Sequence, residues 1–242
     1  MRRPILVAAL LTLLAACAAA RSISVGFADG FPPYQFVDEH GKPAGLDIDI
    51  AEALFRQMGV KGTIIQGSWD DMVNMLRRGL VLDLVGGMEM SDGRLDLFDF
   101  TRPIYRRKSV IVVPASNTTI EGIADLPGLI ITGDRGSYGE SLLDLHGYRS
   151  RIRIAETESK EAAMDMLKDG RASASIMPDA VAVYLAKRLH VAIRIVDIGD
   201  KGTAVAFAAP KGRREWLARV DAALSELEAD GEIGEILEKW LK

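Results

Sequence analysis

From residue 22 onward, short runs of β-branched and aliphatic residues alternate with amphipathic stretches of helical period, and few architectures accommodate that order. Ile23, Val25 and Phe27 alternate with small or polar residues, as in a half-buried strand. A turn-rich stretch with Pro32, Pro33, Gly41, Pro43 and Gly45 follows. Asp47 is then placed to cap a helix with Ile50, Ala51, Leu54, Phe55 and Met58 on its apolar face and Gly59 as its stop. The pattern predicts a strand at 63–66, a helix from about 70 to 78 and a buried strand at 81–85. Further strands are expected at 110–113, 129–132, 152–155 and 193–196, with helices at 160–168, 179–188, 214–229 and 232–241. Strands separated by helices imply βαβ units and a largely parallel sheet covered on both faces, with ligands at the carboxyl ends of the strands.

The N-terminus has a different character. Arg2 and Arg3 precede an apolar run from Ile5 to Ala16 that is too short to span a bilayer and is followed by small residues. Residues 1–20 therefore read as a secretory signal. Leu14-Ala15-Ala16-Cys17 has the form of a lipobox in which Cys17 is lipidated, and Ala18-Ala19-Ala20 offers ordinary cleavage sites as the alternative. Cys17 is the single cysteine of the chain, so the domain beyond it holds no disulfide. Loss of Arg2 and Arg3 with the leader takes the formal charge from −4 to −6, which argues against a nucleic-acid partner.

Enzymatic signatures are sparse. His40, His146 and His190 stand in unrelated contexts, none at metal-ligand spacing, so no metal site is expected. There is no Gly-x-Ser-x-Gly elbow, and no cysteine after residue 17 to act as a nucleophile. Gly133, Gly136 and Gly139 match neither dinucleotide nor P-loop spacing, and no cofactor is implied. Two loops invite a ligand instead. In Gly30-Phe31-Pro32-Pro33-Tyr34 two prolines stiffen a loop between aromatic rings, and Trp69 stands between a strand and a helix. The loop is equally readable as core packing, and an isolated tryptophan more often packs than binds.

The order of motifs carries more than any one of them. Gly26 through Phe36, Gly45-Leu46-Asp47-Ile48-Asp49-Ile50-Ala51, Ser68-Trp69-Asp70 and Gly87-Met88-Glu89-Met90-Ser91-Asp92-Gly93-Arg94 follow one another. They continue into Phe98-Asp99-Phe100-Thr101-Arg102-Pro103-Ile104-Tyr105, Gly136-Ser137-Tyr138-Gly139-Glu140, Lys168-Asp169-Gly170-Arg171, and Ala229-Asp230-Gly231-Glu232 through Trp240. From Ser22 to Lys242 the chain resembles the family 3 extracellular solute-binding proteins, the polar amino-acid-binding group of ABC importers. The resemblance implies the two-lobed periplasmic binding protein fold of type II, an α/β architecture with two crossover hinge strands. Lobe one would comprise 22–107 plus 199–242, and lobe two 108–198. It also implies a periplasmic monomer that closes on a small-molecule ligand and serves an inner-membrane ABC permease, and it implies no catalysis.

By the same resemblance, Arg94 grips a ligand carboxylate with its planar fork, and Phe31 and Trp69 sandwich the ligand side chain. Gly87, which opens the motif ending in Arg94, is a further ligand-binding position. Ser137 and Tyr138 lie in the loop opening a lobe-two helix, whose free N–H groups receive the same carboxylate. Three positions depart from the family pattern. Pro178 stands where an aspartate for the ligand ammonium is usual, with Asp179 next to it. Glu89 replaces a small hydroxyl residue, and Tyr138 a smaller one. Glu89 is either the new partner of a ligand cation or an internal partner of Arg94. Two other functions are admitted by the resemblance: a sensor subunit for a membrane receptor, and a dehydratase of cyclohexadienyl type with Glu89 as general acid.

Overall fold

The computed structural model describes residues 22–133, 138–157 and 159–242. Two sheets divide them. Strand β1 (Ser22–Ala28) opens the first sheet and leads into a small three-stranded sheet of β2 (Gly30–Phe31), β3 (Gln35–Val37) and β4 (Pro43–Ala44). Helix α1 (Leu46–Met58), strand β5 (Lys61–Gly67), helix α2 (Trp69–Arg77) and strand β6 (Leu84–Glu89) follow as βαβ units, with β1 parallel to both β5 and β6. After helix α3 (Asp92–Leu97), the short strands β7 (Phe98–Phe100) and β8 (Tyr105–Arg107) bring the chain to its first crossover.

The second sheet starts with β9 (Ser109–Pro114) and β10 (Ile130–Gly133). Helix α4 (Tyr138–Leu145), β11 (Arg153–Glu156), α5 (Lys160–Lys168), β12 (Ala174–Pro178), α6 (Asp179–Leu189) and β13 (Ile193–Val196) complete it, in the spatial order β11-β10-β12-β9-β13. The chain then returns. Strand β14 (Thr203–Pro210) inserts antiparallel between β6 and β7, giving the order β5-β1-β6-β14-β7 with β8 also paired to β14. Helices α7 (Arg214–Ala229) and α8 (Glu232–Leu241) close back on α1, where Arg56 pairs with Glu232, and Lys239 and Trp240 both reach Asp49.

Each sheet is therefore mixed rather than all parallel, since β9 runs antiparallel to β12 and β13 as β14 does to β6. The two crossovers lie side by side. Asp200 Oδ2 accepts from the backbone N–H of Ser109 at 2.8 Å, Lys108 pairs with Asp197 at 2.7 Å, and Arg106 donates to the carbonyl oxygens of Lys201 and Gly202.

Two local expectations are corrected. The strand expected at 81–85 runs from Leu84 to Glu89, with Leu80 and Val81 exposed. Asp83 explains the shift: its carboxylate accepts from the backbone N–H of Ser24 at 2.9 Å, occupying the ladder position ahead of the first β1–β6 pair, Val25 with Leu84. Asp47 does not cap α1. Gly45 holds the N-cap without a side-chain bond, and Asp47 is buried with its carboxylate turned toward the middle of the molecule.

Candidate functional site

The carboxyl ends of β1, β5 and β6 face those of β10, β11 and β12 across a cavity of about 390 Å³. One wall carries Phe31, Trp69, Gly87, Glu89, Arg94 and Arg107, and the other Gly139, Thr157, Ser159, Lys160, Met177 and Pro178. Five of the expected residues, Phe31, Trp69, Gly87, Glu89 and Arg94, thus meet in one wall. The structure does not bring Asp179 to it. Pro178 takes that place, and the Asp179 carboxylate accepts from the adjacent Ala180 N–H at 2.7 Å. Ser137, the side chain of Tyr138 and Cys17 lie outside the described residues.

Arg107 organises the first wall. It is 3% exposed and comes from β8, whose alternation turns Tyr105 and Arg107 inward and Arg106 outward. Its Nη1 donates to Glu89 Oε1 at 2.8 Å, and its Nη2 to the Tyr105 hydroxyl at 2.7 Å, with Asp47 Oδ2 at 3.5 Å. The guanidinium lies 4.1 Å from the Tyr34 ring centroid and 5.0 Å from that of Phe31. Tyr34, fully buried, stacks on Tyr105 behind it. Asp47 is held in turn by the Tyr105 hydroxyl at 2.8 Å and Gln35 Nε2 at 3.0 Å, while Gln35 Oε1 accepts from the Ala28 N–H.

Glu89 bridges two cations. Its Oε2 accepts from Arg94 Nη1 at 2.8 Å while Oε1 is held by Arg107. Of the two roles open to it, the structure shows the internal pair with Arg94. Burial works to raise its pKa, but the charges of Arg107 and Arg94 prevail and hold it down at about 2. Asp47 goes the other way: burial, only partly opposed by Arg107, pushes it up to about 6. Burial also pushes the Tyr34 hydroxyl up to about 12. Burial disfavours the charge on Arg107, yet Tyr105, Glu89 and Asp47 together keep it firmly protonated.

Gly87 has a steric reason to be glycine. Its φ of 66° is left-handed, and a Cβ there would stand 2.1 Å from Asp47 Oδ2 and 2.3 Å from Gln35 Nε2. The wall packs directly on this backbone. Arg94, seated over Trp69 at 5.3 Å, uses only Nη1 in its hydrogen bonds among the described residues, all to Glu89.

Three participants escape a reading of the sequence. Arg107 sits in Tyr105-Arg106-Arg107-Lys108, which looks like a solvated charge run, and only period-two alternation from Tyr105 hints at its burial. Asp47 reads as a helix cap. Lys160, 5% exposed, occupies the first turn of α5, where a cation opposes the helix dipole; that misplacement is its one visible signal. Its Nζ lies 5.8 Å from the Phe31 ring centroid, so it reaches across the cavity to the opposite wall.

Known proteins resemble this chain in sequence and fold. The sequence pattern of the bacterial extracellular solute-binding proteins, family 3, matches residues 23–242. ABC transporter arginine-binding protein 1 of Escherichia coli (strain K12) is 26% identical over 245 residues, covering 99% of this chain and 99% of that protein. Among solved structures, an ancestral arginine-binding protein bound to arginine superposes with a TM-score of 0.85 at 30% identity, over 92% of this chain and all of the other. An ancestral amino acid-binding protein described as a precursor of cyclohexadienyl dehydratase gives a TM-score of 0.82 at 28% identity, over 91% of this chain and 96% of the other.

Proposed function

Because this chain belongs to the bacterial extracellular solute-binding proteins, family 3, we propose that its cleft closes on a small polar, carboxylate-bearing solute for delivery to the permease of an ABC importer. The observation that carries the reading is the cavity itself. Cationic and aromatic side chains of the first sheet, Arg94, Arg107, Phe31 and Trp69, face Thr157, Ser159 and Lys160 of the second. A solute that contacts both walls favours the closed form by the sum of its contacts, a hinge-type population shift. Arg94 is oriented by Glu89 through Nη1, and the rest of its fork is the edge that meets a carboxylate. Phe31 and Trp69 flank the same space with apolar faces.

In this reading 22–107 plus 199–242 form lobe one and 108–198 lobe two, closing about the paired crossovers. The protein works as a periplasmic monomer, held to the membrane by lipid on Cys17, and releases its solute unchanged. The similar proteins named above are binding proteins, which supports transport rather than turnover.

A thermal-shift screen of the refolded, ligand-stripped chain tests it, with amino acids, polyamines, betaines, dicarboxylates and small phospho-compounds in the panel. A solute at 100 times its Kd adds about 2.7 kcal/mol of stability. The expected hit is lost in Arg94→Ala, and the solute is recovered chemically intact. Absence of any hit, or a hit indifferent to Arg94→Ala, overturns the reading.

A further inference from the structure

The face of the small sheet turned away from the cavity carries an aromatic contact between the two halves of the molecule. Gln35 lines the cavity, so the alternation of β3 turns its neighbour Phe36 to the other side. Phe36 is 8% exposed, yet its cross-strand partners are Gly30 and Ala44, which offer it no ring. Two helices supply the rings instead. That of Trp240 on α8 meets Phe36 edge-on at 5.9 Å, and that of Tyr184 on α6 lies 5.9 Å away at 52°. Trp240 is itself anchored, since its Nε1 donates to Asp49 Oδ2 at 2.7 Å.

Tyr184 comes from the other half. Helix α6 packs on the second sheet through Val181, Ala182 and Leu185, all buried, while half-buried Tyr184 stands at the flank of that stripe and reaches Phe36. The helix starts at the first crossover, where the Asp179 N–H donates to the Lys108 carbonyl at 3.0 Å. Tyr184 lies five residues further on, about 7.5 Å along the axis, so a rotation about the crossovers swings it toward or away from Phe36. Neither Phe36, Tyr184 nor Trp240 lines the cavity. Among the described residues, the Phe36–Tyr184 pair is the ring-to-ring contact that joins the strands and helices between 109 and 196 to the rest of the chain.

We propose that Tyr184 is a latch between the two lobes: its ring, seated against Phe36 outside the cavity, holds part of the solute-free population closed and so helps set the affinity of the cleft. The proposal rests on the hinge-closing reading above. A solute that binds the closed form is held in proportion to the fraction of molecules already closed, so a contact made in that form adds to affinity without touching the solute. One aromatic pair changes the ratio of closed to open molecules by about two- to tenfold. Tyrosine suits the part, because its ring packs when the lobes meet and its hydroxyl keeps it compatible with water when they separate.

Distance measurement by double electron–electron resonance tests it without any solute. The refolded, ligand-stripped chain carries Cys17→Ser, which removes its one native thiol, and nitroxide labels on Asn74→Cys and Asp165→Cys. Both positions are exposed, one on α2 and one on α5, helices that start at opposite walls of the cavity. The expected distribution has a short and a long component. Tyr184→Ala and Tyr184→Gln should each lower the ratio of short to long by about two- to tenfold, and Tyr184→Phe should retain it. Glutamine is a good helix former, so the comparison stands even if the alanine variant does not fold. A wild-type chain with the long distance alone, or a ratio that both ring-less variants leave unchanged or raise, overturns the latch and leaves the cleft reading to its own solute screen. Loss of the short component in Tyr184→Phe as well overturns the ring contact as its cause. A single short distance in every variant overturns the latch and the hinge closure together.

Discussion

Arg107 Nη1 and Glu89 Oε1 stand 2.8 Å apart, joining the last strand before the first crossover to the central strand of the sheet it leaves. Arg107 is buried and Glu89 nearly so, and each partner has a further opposite charge: Asp47 beside Arg107, and Arg94 on the other oxygen of Glu89. The network thus fixes the crossover end of the cavity's first wall and orients Arg94 at the same time.

Removal of its centre should be severe. Arg107→Met retains the bulk and deletes the charge, leaving Glu89 and Asp47 buried without their shared cation. We expect a loss of about 3–5 kcal/mol in urea unfolding, the usual scale for breaking a buried ion pair from one side. Loss of solute affinity should accompany it even where the variant is folded, because Arg94 then competes alone for Glu89.

Gly87→Ala tests the packing of the same wall. The added methyl meets Asp47 and Gln35 at a left-handed φ, and we expect a destabilisation of about 1–3 kcal/mol. Gly93→Ala is the control: nothing lies within 4 Å of its Cβ, and it sits inside α3. Its unfolding midpoint should stay the same or rise slightly.

Acid titration should separate the two carboxylates. Glu89 ionises in the fold at about 2, below its ordinary 4.5, so the unfolded chain binds more protons in that interval and stability rises with pH from about 2 to 4.5. Asp47 behaves oppositely. Its folded value of about 6 exceeds the ordinary 3.8, so the folded chain binds more protons and stability falls as pH rises from about 4 to 6. In urea midpoints measured across this range, Asp47→Asn should reduce the decline and Glu89→Gln the rise, to which Asp99, also lowered in the fold, contributes as well.

Pro178→Asp should add an anionic contact to the cleft. Pro178 is the N-cap of α6 and lines the cavity, and aspartate is a favoured N-cap residue, so the fold accepts the change. A carboxylate placed there can receive the ammonium of a solute. L-amino acids should gain about tenfold in affinity, read by calorimetry.

The legible part of this molecule is its local pattern. Strands such as β1 and helices such as α1 show their period in the residues themselves, and the motif ending in Arg94 marks a wall of the cleft. Strands β12 and β14 are harder to read because Ala-Ser-Ile-Met-Pro and Thr-Ala-Val-Ala-Phe-Ala-Ala-Pro are rich in small residues with weak strand preference, and become strands through pairing on both sides. The central cation is hidden for a related reason. Arg107 is buried by partners 18 and 60 positions earlier, Glu89 and Asp47, and no window along the chain contains all three.

The insertion of β14 between β6 and β7 also sets a timetable for the chain. The strands on either side of it are finished by residue 100, but the gap between them stays open until residues 203–210 are available. Until then the first sheet is the β5-β1-β6 part alone, with an unfilled edge beside β6, while β7 and β8 have no strand to pair with for about a hundred residues of chain. The second lobe waits on no such distant segment, since all its strands lie between 109 and 196. The later lobe in sequence is thus the earlier one able to close, and the cleft forms only when the last strand has been threaded home.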